Sequence, residues 1–136
     1  MPTFYAHSIN DQPKDGWELL DVHLKAVAKR AKIFARHFGS GELAYWAGLW
    51  HDLGKASLEF QRYIDNDHEY AKENNNHIRV DHSTAGARHA EREMPAPLGK
   101  LIAYVIAGHH TGLQNFIDVE NRLKHKVIPE IHPPDC

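Results

Sequence analysis

From Trp17 to Phe38 the apolar residues Leu20, Leu24, Val27, Ala31, Phe34 and Phe38 follow one another at alternating steps of four and three, which makes one stripe along a helix. Asp15 or Gly16 stands at its expected start, and Gly39 and Gly41 supply the left-handed conformations that end helices. A second helix is predicted from about Glu42 to Leu53. It is apolar nearly all round, through Leu43, Ala44, Tyr45, Trp46, Ala47, Leu49, Trp50 and Leu53, and a helix of that kind belongs at the centre of a fold. Gly54 stops it.

Ser57 can cap a short third helix carrying Phe60, Tyr63 and Ile64. Residues 65–81 then turn polar, with three consecutive asparagines and no period, and predict a long loop of the kind that is uncommon in compact domains unless mobile or functional. A fourth helix is predicted from Ser83 to Met94, stopped by Pro95. The fifth begins at Pro97, a residue suited to a first turn, and runs through Leu98, Leu101, Ile102, Val105 and Ile106 to the segment Gly108-His-His-Thr-Gly112. A sixth follows from Phe116 through Val119 and Leu123. No alternating β-branched pattern predicts a strand, and no repeat or low-complexity linker divides the chain. The expected fold is all-α, a bundle of about five to six helices forming one domain over residues 1–136.

Composition narrows the setting. With 42% hydrophobic and 25% charged residues the chain can bury a core. Its longest apolar run, Leu43 to Trp50, falls far short of the ~20 residues of a membrane span, and the opening Met-Pro-Thr-Phe-Tyr has neither the basic nor the apolar region of a signal peptide. The lone cysteine, Cys136, cannot close an intramolecular disulfide, so a reducing, cytoplasmic location is expected, away from membranes. A net charge of −2 provides no bulk basic field, so any contact with nucleic acid must be local.

Histidine is the departure from the ordinary: 12 of 136 residues, scattered along the chain. At this composition about one His-Asp dipeptide is expected by chance, so position rather than occurrence carries the signal. His51-Asp52 ends the most apolar helix, where two ionisable groups are costly unless paired or bound to a metal. His23 shares the inward stripe of the first helix with Leu20 and Val27, where a satisfied core histidine is the plain alternative. His109 continues the apolar face of the fifth helix, with His110 beside it. His82 stands at a helix start, where a solvated histidine next to a capping Asp81 or Ser83 would be equally ordinary. Taken together, these residues come from separate helices and sit near helix ends or on inward faces, as in bundle metal sites. Imidazole and carboxylate without thiolate suit iron, manganese, nickel, cobalt or zinc. A bridging Asp52 would allow a two-metal centre, able to clamp the attacking and leaving oxygens of a phosphoryl displacement.

The set His23, His51-Asp52-Leu-Gly-Lys55, Asp81-His82-Ser and Gly108-His-His-Thr-Gly-Leu113 resembles the HD superfamily of metal-dependent phosphohydrolases. More narrowly, GLWHDLGKASLEFQRYI, DHSTAGA and IAGHHTGL resemble the HD nuclease domain of the CRISPR-associated nuclease-helicase of type I systems. That resemblance implies a helical domain that cleaves single-stranded DNA with one or two divalent transition metal ions, working with a fused or separate superfamily 2 helicase and a CRISPR effector complex. It implies a first metal on His23, His51 and Asp52, and a second on Asp52, His82, His109 and His110. Asp52 and Lys55 would be the catalytic residues, with Lys55 facing the substrate phosphate or orienting the site; a solvated helix-end charge is its plain alternative. The family also supplies a further aspartate to the first metal from well downstream. Asp118 is early for that role and Asp135 lies in a Pro-Pro-Asp-Cys end, so a C-terminally truncated domain with a weak first site is expected.

The same ligands would also serve an HD phosphohydrolase acting on nucleotides or cyclic nucleotides, or a metal-stabilised interaction module with little catalysis. For a nuclease, Lys25, Lys29, Arg30 and Arg36, or Arg88 and Arg92, could track a strand, or could form a solvated face.

Overall fold

The structure is a computed structural model that describes residues 3–9, 11–65 and 80–132. The predicted loop at 65–81 falls mostly outside the described residues, as do Asp135 and Cys136. Six α-helices are seen among the described residues: α1 Leu20–Ala35, α2 Gly41–Trp50, α3 Leu58–Ile64, α4 Ser83–Glu93, α5 Leu98–Gly108 and α6 Phe116–His125. The all-α class holds, with one correction. A short antiparallel sheet pairs β1, Tyr5–His7, with β2, Glu18–Leu19. Strands of three and two residues are too short to show alternation in the sequence, and Trp17 to Leu19, expected as the first helical turn, are extended instead.

α1 packs on α2 and α4 on α5, with α2 touching both α4 and α5. The core runs through Leu20, Leu24, Ala28, Leu49, Trp50, Leu53, Ala87, Ala90, Ile102 and Ile106. Two expectations about it fail in the same way. The stripe on α1 holds at Leu20 and Leu24, but Phe34 is 67% and Phe38 73% exposed, while Ala28 and Ala35 are buried. A Cβ on Gly48 would lie 2.9 Å from the Ala28 Cα, so close backbone approach selects the small-residue face of α1 over its aromatic one. α2 is likewise buried at Gly41 and along its C-terminal end, Gly48 to Trp50, with Leu43 to Ala47 partly exposed.

Local chemistry sets the ends that matter. Gly39, at φ 74°, closes the turn after α1. Ser57 Oγ accepts from the Phe60 amide and caps α3 as expected. Asp81 caps α4, its Oδ1 accepting from the Thr84 amide at 3.0 Å, which places His82 at the entrance of that helix. α6 is anchored by Arg122, which donates to Thr84 Oγ1, Ser83 Oγ and the Ala107 carbonyl. Arg88 donates to the Leu123 and Lys126 carbonyls, so of the basic residues considered for strand tracking it is committed to the fold.

Candidate metal centre

The C-terminal end of α2, the start of α1, the entrance of α4 and the end of α5 meet at Asp52, which is 3% exposed. The turn after α2 is pressed against His82: the Gly54 amide donates to the His82 carbonyl, and a Cβ at Gly54 would lie 2.3 Å from that oxygen. Only glycine lets the two motifs approach this closely. Around Asp52 the donor atoms divide by carboxylate oxygen. Oδ2 faces His51 Nε2 at 3.2 Å, His23 Nε2 at 3.5 Å and Lys55 Nζ at 2.8 Å. Oδ1 faces His82 Nε2 and His109 Nε2, each at 3.2 Å, and His110 Nε2 at 4.0 Å. Two sets of donors lie within 4.8 Å of one another: His23, His51 and Asp52, and Asp52, His82, His109 and His110.

The other ring nitrogens decide what these donors can bind. His51 Nδ1 donates to the Gly48 carbonyl at 2.7 Å, His109 Nδ1 to the Ile106 carbonyl at 2.7 Å, and His82 Nδ1 to the Val80 carbonyl at 3.2 Å. His23 Nδ1 donates to Glu18 Oε2 at 3.0 Å. Each of these acceptors lacks a proton of its own, so every Nδ1 carries the hydrogen and every neutral ring turns a bare Nε2 lone pair toward Asp52. One carboxylate with Lys55 already beside it cannot neutralise four imidazolium ions. Converging lone pairs on an anion repel, and a divalent cation resolves that repulsion.

Geometry fits such an ion. Bonds of about 2.0–2.2 Å set neighbouring donor atoms about 3.0–3.5 Å apart, the range found around Asp52. His82 Nε2 and His110 Nε2 approach to 2.7 Å, and His23 Nε2 is buried without a hydrogen-bond partner among the described residues. Burial pushes the Asp52 carboxyl up, but the hydrogen bonds that His109, His51 and His82 donate to it when Nε2 carries a proton outweigh that and hold it well below the usual carboxylate range. Burial alone would lower His109, yet Asp52 and the Ile106 carbonyl raise it, so without a cation His109 is a ring on which the carboxylate favours a proton that must leave before the ring ligates. His110 is lowered by burial and by His109 and His82 beside it.

All six histidine and aspartate candidates are thus brought to one centre, with Lys55 against them. Two plain alternatives fail: Lys55 is 4% exposed rather than solvated, and His23 is not a fully satisfied core residue. Asp118 is not brought in. It sits in the first turn of α6 against Asn115. Sequence reasoning missed Glu18 and His7, whose ring meets His23 edge-on at a centroid distance of 5.0 Å. Both reach the centre through strand pairing, which no local pattern announces.

Comparison with curated proteins finds no match to the chain. The family described as HD domain matches residues 20–129, from the first residue of α1 to beyond the end of α6 and including every donor around Asp52. On that match, and with a histidine-aspartate cluster that could hold a divalent cation, the chain belongs to the HD domain family, whose members are typically metal-dependent phosphohydrolases.

Proposed function

We propose that this chain is a nuclease domain that hydrolyses phosphodiester bonds of single-stranded DNA in CRISPR interference, with Asp52 shared between two divalent ions. One observation carries the two-ion reading: Asp52 presents one carboxylate oxygen to His23 and His51 and the other to His82 and His109. When bound, such a pair supplies Lewis acidity and lowers the pKa of water for attack on phosphorus. The protein's own part is positional. Nδ1 hydrogen bonds fix the ring orientations, and Lys55 holds Asp52 in place from the protein interior. His110, whose side chain is 54% exposed, marks the side from which a phosphodiester reaches the centre. The polymer reading draws on the resemblance of the three motif segments to the CRISPR-associated nuclease, together with this open side. A superfamily 2 helicase, fused or separate, and a CRISPR effector complex are the partners it calls for.

The test is a circular single-stranded DNA incubated with the protein and manganese or nickel. Cleavage that chelation stops and Asp52→Ala abolishes is expected. Intact circles alongside hydrolysis of nucleotides or cyclic nucleotides would replace this reading with a small-molecule phosphohydrolase. Tight ion binding with no hydrolysis of either would leave a metal-stabilised interaction module.

A further inference from the structure

Among the four histidines around Asp52 whose Nδ1 partner is seen, three donate to a backbone carbonyl. His23 alone donates to a carboxylate, Glu18 Oε2 at 3.0 Å. We infer that Glu18 is a positioning residue for the metal centre, holding His23 in the Nδ1–H form so that its buried Nε2 is free for an ion shared with His51 and Asp52. The inference rests on the reading of His23 as a metal ligand given above.

Three observations support it. Glu18 lies on β2, paired with His7 of β1, and the His7 and His23 rings meet in a T-shaped contact at an interplanar angle of 82°, so the sheet fixes the acceptor and restricts the ring at once. The sheet is in turn fastened to the centre, because Lys55 Nζ donates to the Ala6 carbonyl at 3.0 Å while touching Asp52. Finally, among the described residues Nε2 of His23 has no hydrogen-bond partner, Asp52 Oδ2 lying 3.5 Å away, so the hydrogen bond that orients this ring is the one to Glu18. A carboxylate behind a ligating imidazole also raises its basicity more than a carbonyl does, and loss of such a partner typically weakens metal binding 10–100-fold. The subsite with fewer protein donors therefore has the stronger orienting group. His7, Glu18 and His23 themselves bring donor atoms within 4.8 Å, but an ion there would take the Nδ1 lone pair that the Glu18 hydrogen bond requires to be protonated.

Titration with manganese alone, followed by calorimetry, identifies the binding event that His23→Ala abolishes. Glu18→Ala should weaken that event 10–100-fold and leave the other unchanged. Glu18→Gln, whose carbonyl still accepts from Nδ1, should lose less, and His7→Ala should leave the number of ions unaltered. Nitrogen NMR of the metal-free wild-type protein should show His23 as the Nδ1–H tautomer, a readout that depends on no variant folding. Wild-type affinity for both ions in Glu18→Ala, or an Nε2–H tautomer in the wild type, overturns the inference while the His23 assignment stands. A further ion lost in both His7→Ala and Glu18→Ala overturns it in favour of a separate site. No change in His23→Ala overturns the ligand assignment and the inference with it.

Discussion

Lys55 Nζ lies 2.8 Å from Asp52 Oδ2, and both side chains are almost wholly buried. A buried pair of this kind adds little net stability, but removing one partner leaves an uncompensated charge. Lys55→Met is expected to destabilise the metal-free protein by about 3–5 kcal/mol. Added manganese should recover part of that loss, since a divalent ion supplies the missing positive charge. Urea unfolding with and without metal measures both effects. A metal-free variant as stable as wild type would show that Lys55 does not balance Asp52.

Asp52 is the one side chain common to both donor sets, so Asp52→Ala should lose both ions and all hydrolysis, whereas His82→Ala should lose one ion. The set of Asp52, His82, His109 and His110 has four donors against three and should fill first. Chelation of the wild-type protein should lower its melting temperature, because binding confined to the folded state stabilises by about 2.7 kcal/mol at 100 times Kd. Ion counts by elemental analysis across a manganese titration decide the matter. Two equivalent tight sites would contradict the predicted order.

Arg122 bonds to Thr84, Ser83 and the Ala107 carbonyl and lies 3.4 Å from Asp81 Oδ2, which Lys126 also contacts at 2.6 Å. Burial pushes the Asp81 carboxyl up, but Lys126, Thr84 and Arg122 outweigh it and hold it below the usual range. Arg122→Ala is expected to cost about 2–4 kcal/mol in denaturant unfolding. Arg122→Lys should recover little, because an ammonium cannot reproduce the guanidinium fork. Full recovery with lysine would reduce the network to simple charge.

His89 packs edge-on against Trp50, and Arg92 Nη2 lies 3.0 Å from its Nδ1. Burial and then the Arg92 charge push its pKa down from 6.5, against a smaller upward pull from Glu93. The unfolded chain therefore binds the proton more readily. The stability contributed by neutral His89 is fully present above pH about 6.5 and is lost as pH falls toward the folded-state value. Metal-free wild type and His89→Gln, compared by thermal melting from pH 7.5 downward, should differ in slope within that window, with the wild type steeper. Parallel curves would refute the assignment.

Helix existence and the residues around Asp52 could be read from the chain because both rest on local features: the three-and-four spacing of Leu20 and Leu24, the Ser57 cap, and charged groups ending an apolar run at His51-Asp52. Which face of α1 is buried could not. Phe34 and Phe38 carry the stronger pattern, but the backbone approach at Ala28 and Gly48 depends on a partner helix. The Glu18–His23 bond escaped for a related reason, since it needs a strand too short to have a period. The family match confirms the HD domain and leaves nuclease, DNA and CRISPR partners as proposals for experiment.

The carbonyls of Gly48 and Ile106 lie in the last turns of α2 and α5, where helical amides run out, and the Ile106 carbonyl accepts from the His109 amide at 3.3 Å as well as from its ring. His51 and His109 take up those oxygens, each three residues on. In this protein, ending a helix and aiming a ligand are one event, so helix length is itself a determinant of coordination. Extending either helix by one more turn would change the amide offered to that carbonyl from the third residue on to the fourth and shift the ring that now donates to it. Insertions or helix-favouring changes just beyond Trp50 or Gly108 would then damage the centre without touching any residue that faces it.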